Sequence, residues 1–591
     1  MTDTETAPDQ RARAEAATPP QPSRAEPTEV VRRDRGWPTR ETTVTLTVGA
    51  FYALLVSALW LPFGPRSGMG YETTLVYLSE SKTFWDGFIY WDALRPFTQL
   101  FYQSGYQLSS VLGIDGSFLG YQLVYAALWW GRGLLVFLIL RRLFPALPVL
   151  AYAAGGLVIV HASDRALNWV GQLNQFGFIF WMLLAIYFLV VALQLTRRST
   201  TCIAAAAAAG ATYLCLWSYE SPLFILLLAP VVLVHIVGVS FRSATVVLSF
   251  YVVPAVFVAK NIDRYVGRDS GTYQESLVRD ELSPLTLGSD LAYNVRASVS
   301  FWEWGTGLPP AAHAGATLAG VAAATVFGIG ALVVGLLVRH RAEALPRARV
   351  AFLLGTGLVL LLASFPAYLV LEDARGLWRS QFLSGIGFGV VAAALLFLAA
   401  SFIGDRRLRV LTVAVVGAAV AYAGGAAAYR AASFHYDNWQ RHREAMAQVL
   451  EVAPRLKSGT VVVLGGVSKD ADSFGHNMWF DVALRLAYPD TPVAGIYYYA
   501  DGEPAPGANM LVRGRTWYQI ATGFPTLVDD SDFSNTVIVR YSAAGRPALA
   551  AAVPRFMQVG RAARSAYSPL TPIEQGEASP LAERRYEPDG G

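Results

Sequence analysis

The sequence predicts a polytopic α-helical membrane protein with about eleven transmembrane helices and a small extracytoplasmic α/β domain at its C-terminal end. Three observations predict this fold. Of the 591 residues, 54% are hydrophobic and only 15% are charged, whereas roughly a quarter of the residues of a soluble protein are charged. Apolar windows long enough to cross a bilayer recur through the first three quarters of the chain. From about Phe434 onward, the composition becomes that of a soluble domain.

The charge and the cysteine content exclude several kinds of function. A net charge of +4 does not indicate binding to nucleic acid. The two cysteines, Cys202 and Cys215, lie in one apolar window and lack the spacing of metal ligands. The seven histidines are scattered along the chain. We therefore expect no required cofactor, and a divalent metal stays possible but is not indicated.

The chain begins with a polar segment and continues into the transmembrane domain. Residues 1–42 are rich in Ala, Pro, Glu and Arg and lack the apolar core of a signal peptide, so we expect a disordered cytoplasmic tail. Residues 43–433 form the predicted transmembrane domain. Its apolar windows lie at about 43–63, 118–140, 147–162, 176–196, 201–218, 222–240, 244–260, 313–338, 350–371, 382–403 and 409–432.

Arginine clusters orient these windows in the plasma membrane. The clusters precede the first window and follow the second, fourth, sixth, eighth and tenth, so all of them lie on one side if the count of eleven is right. The positive-inside rule then predicts a cytoplasmic N-terminus, outward-facing long loops and an extracytoplasmic C-terminal region. An even number of spans would place the C-terminal region in the cytoplasm instead.

Residues 434–557 form the predicted extracytoplasmic α/β domain. Helical patterns occur in HYDNWQRHREAMAQVLEVAPRLK and HNMWFDVALRLAY, and strand patterns occur in TVVVLGG, PVAGIYYY and NTVIVRYSAAGRPALAA. The last of these predicts a strand pair with Gly545 in its turn. Residues 558–591 are rich in Pro, Glu and Arg, so we expect a second disordered tail.

The first outer loop, residues 64–117, contains the most unusual stretch of the sequence. Between Gly70 and Tyr102, acidic residues are interleaved with many aromatic ones. The stretch is too polar to cross a bilayer, and it predicts an amphipathic segment at the membrane surface, with its aromatic residues at the depth of the lipid head groups. Its acidic residues are Glu72, Glu80, Asp86 and Asp92.

Carboxylates at the outer mouth of a helical bundle suit one class of reaction. A lipid-linked substrate keeps its phosphate at head-group depth, and a carboxylate beside it can deprotonate an acceptor hydroxyl. Cations near the phosphate stabilise the negative charge that develops on the leaving group. Arginine suits this role because its planar guanidinium binds phosphate through two hydrogen bonds and stays protonated.

The layout of residues 43–432 resembles the GT-C class of polytopic glycosyltransferases. It is most similar to the bacterial branch that includes the dolichyl-phosphate-mannose-like and lipid A aminoarabinose transferases. Glu72, after Tyr71, stands where that branch carries an acidic residue soon after the first helix, often as an Asp-Glu pair. Arg95-Pro96 matches its later proline-containing segment. The sequence departs from the pattern at Gly70-Tyr71, where an Asp is usual, so only Glu72 can fill the acidic position.

The resemblance implies an enzyme that transfers a sugar from a polyprenyl-phosphate donor to a lipid, glycan or protein hydroxyl on the outer face. It implies Glu72 or Asp164 as the general base. Other residues match the substrate-binding positions of the class or lie beside them. These predicted substrate-binding residues are Arg95, Asp92, Glu220, Arg375 and Arg379. Arg132 joins them for a different reason, because its charge lies inside an apolar window.

Structural roles stay open for several of these residues. Asp164 is adjacent to Arg165, and Asp92 lies three residues before Arg95. Each carboxylate could therefore form a structural ion pair and have no role in catalysis. Glu220 could cap the helix that follows it. Arg132 lies inside the second window, where an unpaired charge costs several kcal/mol. It therefore faces a polar cavity, pairs with another group or extends towards the membrane surface.

Two other functions stay open at this stage. A transporter or flippase usually shows internal repeats and polar groups at mid-membrane, and the windows here are almost free of charge apart from Arg132. A polymerase or ligase of cell-surface polysaccharide shares the many spans and the large outer loop. It would place its key Arg and His residues in a late outer loop, whereas acidic residues here concentrate in the first.

Overall fold

The computed structural model describes most of the chain. The described residues are 37–68, 95–114, 118–266, 278–279, 282–338, 347–508, 510–519, 528, 530–542 and 546–587. The chain divides into two compact units, Met1–Val44 and Thr45–Gly591. Glu72, Asp92, Gly545, most of the predicted surface segment and nearly all of the predicted N-terminal tail lie outside the described residues.

The described part of residues 37–452 is helical, apart from short connections. Its helices, numbered here in chain order, are α1 (Trp37–Trp60), α2 (Leu100–Val111), α3 (Leu119–Leu143), α4 (Pro148–Val160), α5 (Leu173–Gln194), α6 (Arg198–Leu216), α7 (Leu223–Val237), α8 (Phe241–Val266), α9 (Pro284–Val299), α10 (His313–Leu337), α11 (Arg347–Ala363), α12 (Pro366–Leu369), α13 (Ser384–Ala400) and α14 (Arg406–Val452).

All eleven predicted windows coincide with helices, but eleven spans are not confirmed. Among the described residues, 8 helical segments are long and apolar enough to cross a membrane, namely α1, α3, α5, α6, α8, α10, α11 together with α12 (Arg347–Leu369), and α14. The other three windows correspond to shorter apolar helices: α4 has 13 residues, α7 has 15 and α13 has 17. A hydrocarbon core about 30 Å thick needs roughly 20 helical residues. The protein is a multi-pass membrane protein, and the described part of its chain contains eight segments of spanning length.

The short helix α4 lies at the centre of the bundle. Every one of its residues is buried, and small residues of its neighbours let their backbones approach it closely. A Cβ atom on Gly424 of α14 would lie 2.0 Å from the carbonyl oxygen of Val160, and one on Gly389 of α13 would lie 2.8 Å from that of Ala154. This packing fixes the end of α4, from which the loop carrying Asp164 emerges.

The long helix α14 joins the membrane domain to the C-terminal domain. It begins after Asp405, whose side chain accepts the N–H groups of Arg407 and Leu408 at 2.6 Å and 3.0 Å and so caps the helix. Its 47 residues span about 70 Å at 1.5 Å per residue. The predicted boundary at residues 433 and 434 therefore lies within one continuous helix.

The C-terminal region contains the predicted α/β fold. Its larger sheet has four strands, β1 (Thr460–Val467), β2 (Val493–Tyr499), β6 (Thr536–Arg540) and β7 (Ala548–Leu549). Their order in the sheet is β2-β1-β6-β7, and the helix α15 (Asn477–Ala487) connects β1 to β2 along the chain. Strands β2, β1 and β6 are parallel, and β7 is antiparallel to β6, which confirms the predicted strand pair.

The sequence reasoning missed a second, three-stranded antiparallel sheet with the order β3-β4-β5. Its strands are short: β3 is Met510–Arg513, β4 is Thr516–Gln519 and β5 is Ser531–Asp532. Trp517 of β4 packs into the same apolar core as Val463 and Ile496 of the larger sheet.

The expectation of a disordered tail from residue 558 is wrong for the residues described there. They form α16 (Arg561–Ala566) and α17 (Pro580–Tyr586). Ala563 joins the apolar core beneath the sheet. Tyr586 is 1% exposed, and its hydroxyl donates to the carbonyl oxygen of Ala483 at 3.0 Å. Widely spaced residues with buried side chains, such as Ala563 and Tyr586, hold this polar segment in place. The average composition of the segment does not reveal them.

Candidate functional site

Asp164 ties two distant loops together. Its carboxylate is 3% exposed. One oxygen accepts the N–H groups of Ala166 at 2.9 Å and Arg379 at 3.0 Å, and the other accepts that of Gln381 at 2.9 Å. The N–H of Arg165 donates to Leu377 at 2.8 Å. The loop after α4 is thus joined to the loop before α13, and Asp164 is not in a surface ion pair.

These contacts affect the protonation of Asp164. Burial raises the pKa of Asp164 to about 6, although its three backbone hydrogen bonds and the nearby charge of Arg379 act in the opposite direction. A carboxylate that accepts three N–H groups in a buried site is well held in place. Its geometry therefore fits the positioning of the Arg379 loop better than the removal of a proton from a substrate.

Both loops contain a residue in the left-handed backbone region. The φ angle is 67° at Asn168 and 73° at Arg379, which few residues other than glycine adopt. The N–H of Asn168 donates to the hydroxyl of Tyr125 at 3.0 Å, and its side-chain amide donates to Ala428 at 3.1 Å. Such backbone conformations persist only where surrounding contacts impose them, and they occur often at functional sites.

A row of polar side chains on α9 holds the second loop from its other side. Asp290, Asn294 and Ser298 recur every four residues and are buried, so they share one face of the helix. The amide of Gln381 donates to Asn294 at 2.7 Å, and Asn294 donates to the carbonyl oxygen of Ala374, also at 2.7 Å. Ser298 shares a hydrogen bond of 2.9 Å with Ser384.

The Arg379 side chain lines a cavity of about 300 Å³. Aromatic and neutral polar groups from the loops, α14 and the C-terminal domain form its walls. Arg379 lies 5.5 Å from the ring centre of Trp169, and Trp169 stacks on His435 with 5.9 Å between ring centres. We call it the aromatic cavity; it is lined by Gly68, Trp169, Trp378, Arg379, Phe434, His435, Asn438, Trp439, His442, Ser473, Phe474 and Trp479.

A second cavity of about 240 Å³ lies beside the same loops. Asp164, Arg165 and Arg296 contribute to its lining, together with Trp304 and the 305–308 turn. Arg165 donates to the carbonyl oxygen of Thr306 at 3.2 Å, and Arg296 pairs with Glu303 at 2.8 Å. The main-chain carbonyl of Arg165 contacts His435 at 2.9 Å, so Arg165 and His435 connect the walls of the two cavities.

The predicted arginines do not converge on one point. Arg95 forms a two-pronged ion pair with Glu220, with 2.9 Å between its Nε and Oε2 of Glu220, so Glu220 is not free to cap α7. Arg375 pairs with Asp290 at 2.6 Å. Neither Arg95 nor Arg375 lines the aromatic cavity. Only Arg379, among the arginines predicted to hold phosphate, is placed there.

Asp290 is the carboxylate that holds Arg375. Burial alone raises its pKa, but hydrogen bonds from Arg375 and Arg279 outweigh burial and hold the pKa of Asp290 below its ordinary value. The Arg279 guanidinium lies 2.6 Å from the same carboxylate. Asp290 therefore stays ionised at neutral pH, and Arg375 serves to anchor the loop that carries Arg379.

Arg132 is buried inside α3 and has an internal role. Its guanidinium donates to the carbonyl oxygen of Val158 at 2.7 Å and lies 4.8 Å from the ring centre of Phe176. It also interacts electrostatically with Tyr125 and Asp164. Of the roles that the sequence leaves open for Arg132, these contacts favour structural pairing within the bundle.

Sequence reasoning missed most of the aromatic cavity. His435, Asn438, Trp439 and His442 recur at helical spacing in HYDNWQRHRE, and this pattern was available to identify one polar and aromatic face. From the sequence alone, however, the same pattern indicates only the start of a soluble helix. Trp169, Trp378 and Trp479 come from three distant segments, and nothing in the sequence pairs them.

No family model and no curated protein matches this sequence. Solved structures of low similarity do match. The archaeal oligosaccharyltransferase AglB from Archaeoglobus fulgidus, solved with an inhibitory peptide and a dolichol-phosphate, is 15% identical with a TM-score of 0.36, over 78% of this chain and 70% of its own. ArnT from Cupriavidus metallidurans, bound to undecaprenyl phosphate, is 13% identical with a TM-score of 0.32, over 71% of this chain and 82% of its own.

A third structure, the arabinofuranosyltransferase AftD from Mycobacteria, is 14% identical with a TM-score of 0.34. The match covers 74% of this chain but only 30% of AftD. All three neighbours are GT-C glycosyltransferases, the class that the sequence resembles. Because every TM-score is below 0.5, these likenesses carry no argument about the chemistry of this chain.

Proposed function

We propose that this protein is a membrane glycosyltransferase that moves a sugar from a polyprenyl-phosphate donor to an acceptor hydroxyl. The observation that carries the proposal is the aromatic cavity with Arg379 in its wall. A volume of about 300 Å³ is at the lower end of the range for small-molecule sites. Aromatic faces suit the C–H faces of a sugar ring, and a guanidinium suits a phosphate.

In the proposed reaction, the acceptor oxygen attacks the anomeric carbon of the donor sugar. The bond between that carbon and the phosphate oxygen breaks, and its electron pair stays on the phosphate, which leaves as polyprenyl phosphate. Arg379 stabilises the charge that develops on this oxygen. A carboxylate takes the proton of the acceptor hydroxyl as the new bond forms.

Glu72 is the proposed general base, and Asp164 is proposed to position Arg379 instead of taking the proton. Both oxygens of Asp164 already accept backbone N–H groups. Glu72 follows Gly68, a lining residue of the aromatic cavity, by four positions in the sequence. The role of Glu72 comes from the family resemblance alone.

The proposal places the aromatic cavity on the outer face of the plasma membrane. The positive-inside rule supports this orientation, because the arginine clusters fall on the opposite side when the eleven apolar helices are counted as crossings. A transporter is less well supported, because the charges of Asp164, Asp290 and Arg375 hold loops in place.

Substitution of Arg379 tests the role of the cavity. Purified protein in liposomes is given synthetic polyprenyl phosphates that carry a hexose or a pentose, and sugar transfer is measured. We expect Arg379→Gln to lower kcat/KM about 100-fold, because it removes a charge that stabilises the transition state. Arg513→Gln removes an exposed arginine that does not line the cavity, and we expect this matched control to keep the kcat/KM of the wild type. Equal losses in both variants would contradict the proposed role of Arg379.

Substitution of Glu72 tests the general base. We expect Glu72→Gln to abolish transfer while the protein keeps its thermal unfolding transition and its donor binding. Glu80→Gln changes a carboxylate of the same segment and is expected to stay active. Full activity of Glu72→Gln would exclude Glu72 as the base.

A further inference from the structure

We propose that the acceptor is an uncharged carbohydrate, held by the part of the aromatic cavity that the C-terminal domain and α14 supply. This inference rests on the proposed glycosyl transfer and names its acceptor class. It also assigns Asp472 as the residue that positions this part of the cavity.

The charges of the cavity are unevenly distributed. Arg379 is the only lining residue, among those the structure describes, with a full charge at neutral pH, and it belongs to the loop before α13. The lining residues that α14 and the C-terminal domain supply are neutral; besides Phe434 and His435, they are Asn438, Trp439, His442, Ser473, Phe474 and Trp479. A donor phosphate at Arg379 uses the one cation. An anionic acceptor would then lie in a neutral, largely apolar site, where burying its charge costs free energy.

The neutral part has the composition of a carbohydrate site. Phe474 packs on His442 with 4.5 Å between ring centres, and Trp479 lies 6.1 Å from Trp169. These rings offer flat apolar faces, and the Asn438 amide and the Ser473 hydroxyl offer hydrogen-bonding groups between them. A sugar ring has C–H groups on its faces and hydroxyls around its edge, so it can use both kinds of contact at once.

Asp472 fixes the loop that carries Ser473 and Phe474. One carboxylate oxygen accepts the N–H groups of Phe474 at 2.9 Å and Gly475 at 3.0 Å. The other accepts the hydroxyls of Tyr497 at 2.9 Å and Tyr499 at 2.8 Å. Because these tyrosines lie at the end of strand β2, their two hydrogen bonds attach the loop to the sheet, and the two N–H groups hold the turn of the loop itself. The Asn438 amide adds a bond of 3.2 Å to Ser473 from α14.

The test is a transfer assay with a panel of acceptors. Liposomes with the labelled donor receive a neutral trisaccharide (mannotriose or arabinotriose), the anionic trisaccharide trigalacturonate, or a neutral peptide rich in Ser and Thr. We expect transfer to a neutral trisaccharide. We expect Trp479→Ala to raise the acceptor KM at least 10-fold with an unchanged donor KM, and Trp479→Phe to restore most of the loss. Trp302→Ala, which removes a tryptophan that is 68% exposed and outside the cavity, is expected to match the wild type.

The positioning role of Asp472 is tested by comparing the effects of its substitution on the acceptor KM, the donor KM and kcat. We expect Asp472→Ala to raise the acceptor KM about 10-fold with little change in kcat or donor KM, and Asp472→Asn to recover part of this loss. A general structural defect would lower kcat and the thermal transition instead, and that result would overturn the positioning role.

The outcomes separate this inference from the proposed function. If the wild type transfers sugar only to trigalacturonate or to the peptide, or if Trp479→Ala keeps the acceptor KM, the acceptor assignment is overturned and the transferase stands. If the wild type neither transfers sugar to any acceptor nor releases it to water, the proposed function itself fails and this inference fails with it.

Discussion

At the scale of single residues, Asp164 shows how burial changes a role. The sequence offered this carboxylate as a general base or as a surface ion pair with its neighbour. The structure places it in a buried position where it accepts N–H groups from Ala166, Arg379 and Gln381. Because the donors belong to two loops, the residue determines where the Arg379 guanidinium lies.

The pH dependence of activity follows from this carboxylate. With a pKa of about 6 in the folded protein, Asp164 is ionised above pH 6 and protonated below it. Protonation weakens its hold on the N–H groups of Arg379 and Gln381, so we expect kcat/KM to fall as the pH drops through 6. In Asp164→Asn, the amide places N–H groups against backbone donors. We expect this variant to have a lower kcat/KM that no longer falls as the pH drops through 6. This fall, the acidic limb of the pH profile, is measured as kcat/KM from pH 5 to 8.

The raised pKa of Asp164 makes stability depend on pH in the opposite direction to activity. Since the pKa is raised above the unfolded value of 3.8, the folded state binds this proton more tightly than the unfolded chain does. The contribution of Asp164 to stability is therefore largest below pH 4 and decreases as the pH rises towards 6. A loss of activity between pH 6 and 5 that coincides with unfolding would contradict the assignment of the acidic limb to Asp164.

At the scale of elements, α9 and the loop before α13 form a polar interface inside an apolar protein. The row Asp290, Asn294 and Ser298 contacts this loop at three successive turns. Each contact satisfies a buried polar group. The row therefore fixes the loop, and none of its three residues lines the aromatic cavity or the second cavity. The sequence did not reveal this role, because α9 lies outside the eleven apolar windows and its polar residues at every fourth position are not marked by hydropathy.

Removal of one member of this row tests its contribution. Asn294→Leu leaves the buried amide of Gln381 without its partner at 2.7 Å, which costs roughly 2 kcal/mol of unfolding free energy. We expect a lower thermal transition in detergent and a weaker transferase activity, because the Arg379 loop loses its support. Thr286→Val, on an exposed position of the same helix, is the control. Equal transitions in the two variants would show that the row is not needed for stability.

At the scale of the whole molecule, α14 determines where the candidate site lies. It contributes Ala427 and Ala431 to the second cavity, and residues from Phe434 to His442 to the aromatic cavity. One helix therefore carries walls of both cavities along its length. The sequence placed a domain boundary at residues 433 and 434, because hydropathy changes there while helical periodicity does not.

Truncation of the C-terminal tail tests whether the residues after 558 belong to the folded C-terminal domain. Removal of residues 560–591 deletes α16 and α17, and with them Ala563 from the core under the sheet. We expect a C-terminal domain that unfolds at lower temperature and that trypsin cleaves rapidly. Removal of residues 588–591 alone deletes no described contact and is the control. Identical cleavage patterns of the two truncated proteins would restore the expectation of a disordered tail.

The fold was predictable from the sequence to the extent that hydropathy determines it. All eleven apolar windows and the main strands coincide with elements, since burial in lipid or in a sheet leaves a strong local pattern. The candidate site was less predictable. Asp164 and Arg379 were identified, but the Trp169, Trp378 and Trp479 rings meet only through tertiary contacts between distant segments. The partners of Arg95 and Arg375 also depend on such contacts.

The most direct test of the central claim is a cryo-electron microscopy structure of the protein in nanodiscs with a bound polyprenyl-phosphate sugar. We predict a donor phosphate about 3 Å from the Arg379 guanidinium, with its sugar inside the aromatic cavity. A donor phosphate bound at Arg95 or Arg375 while the aromatic cavity stays empty would contradict the account.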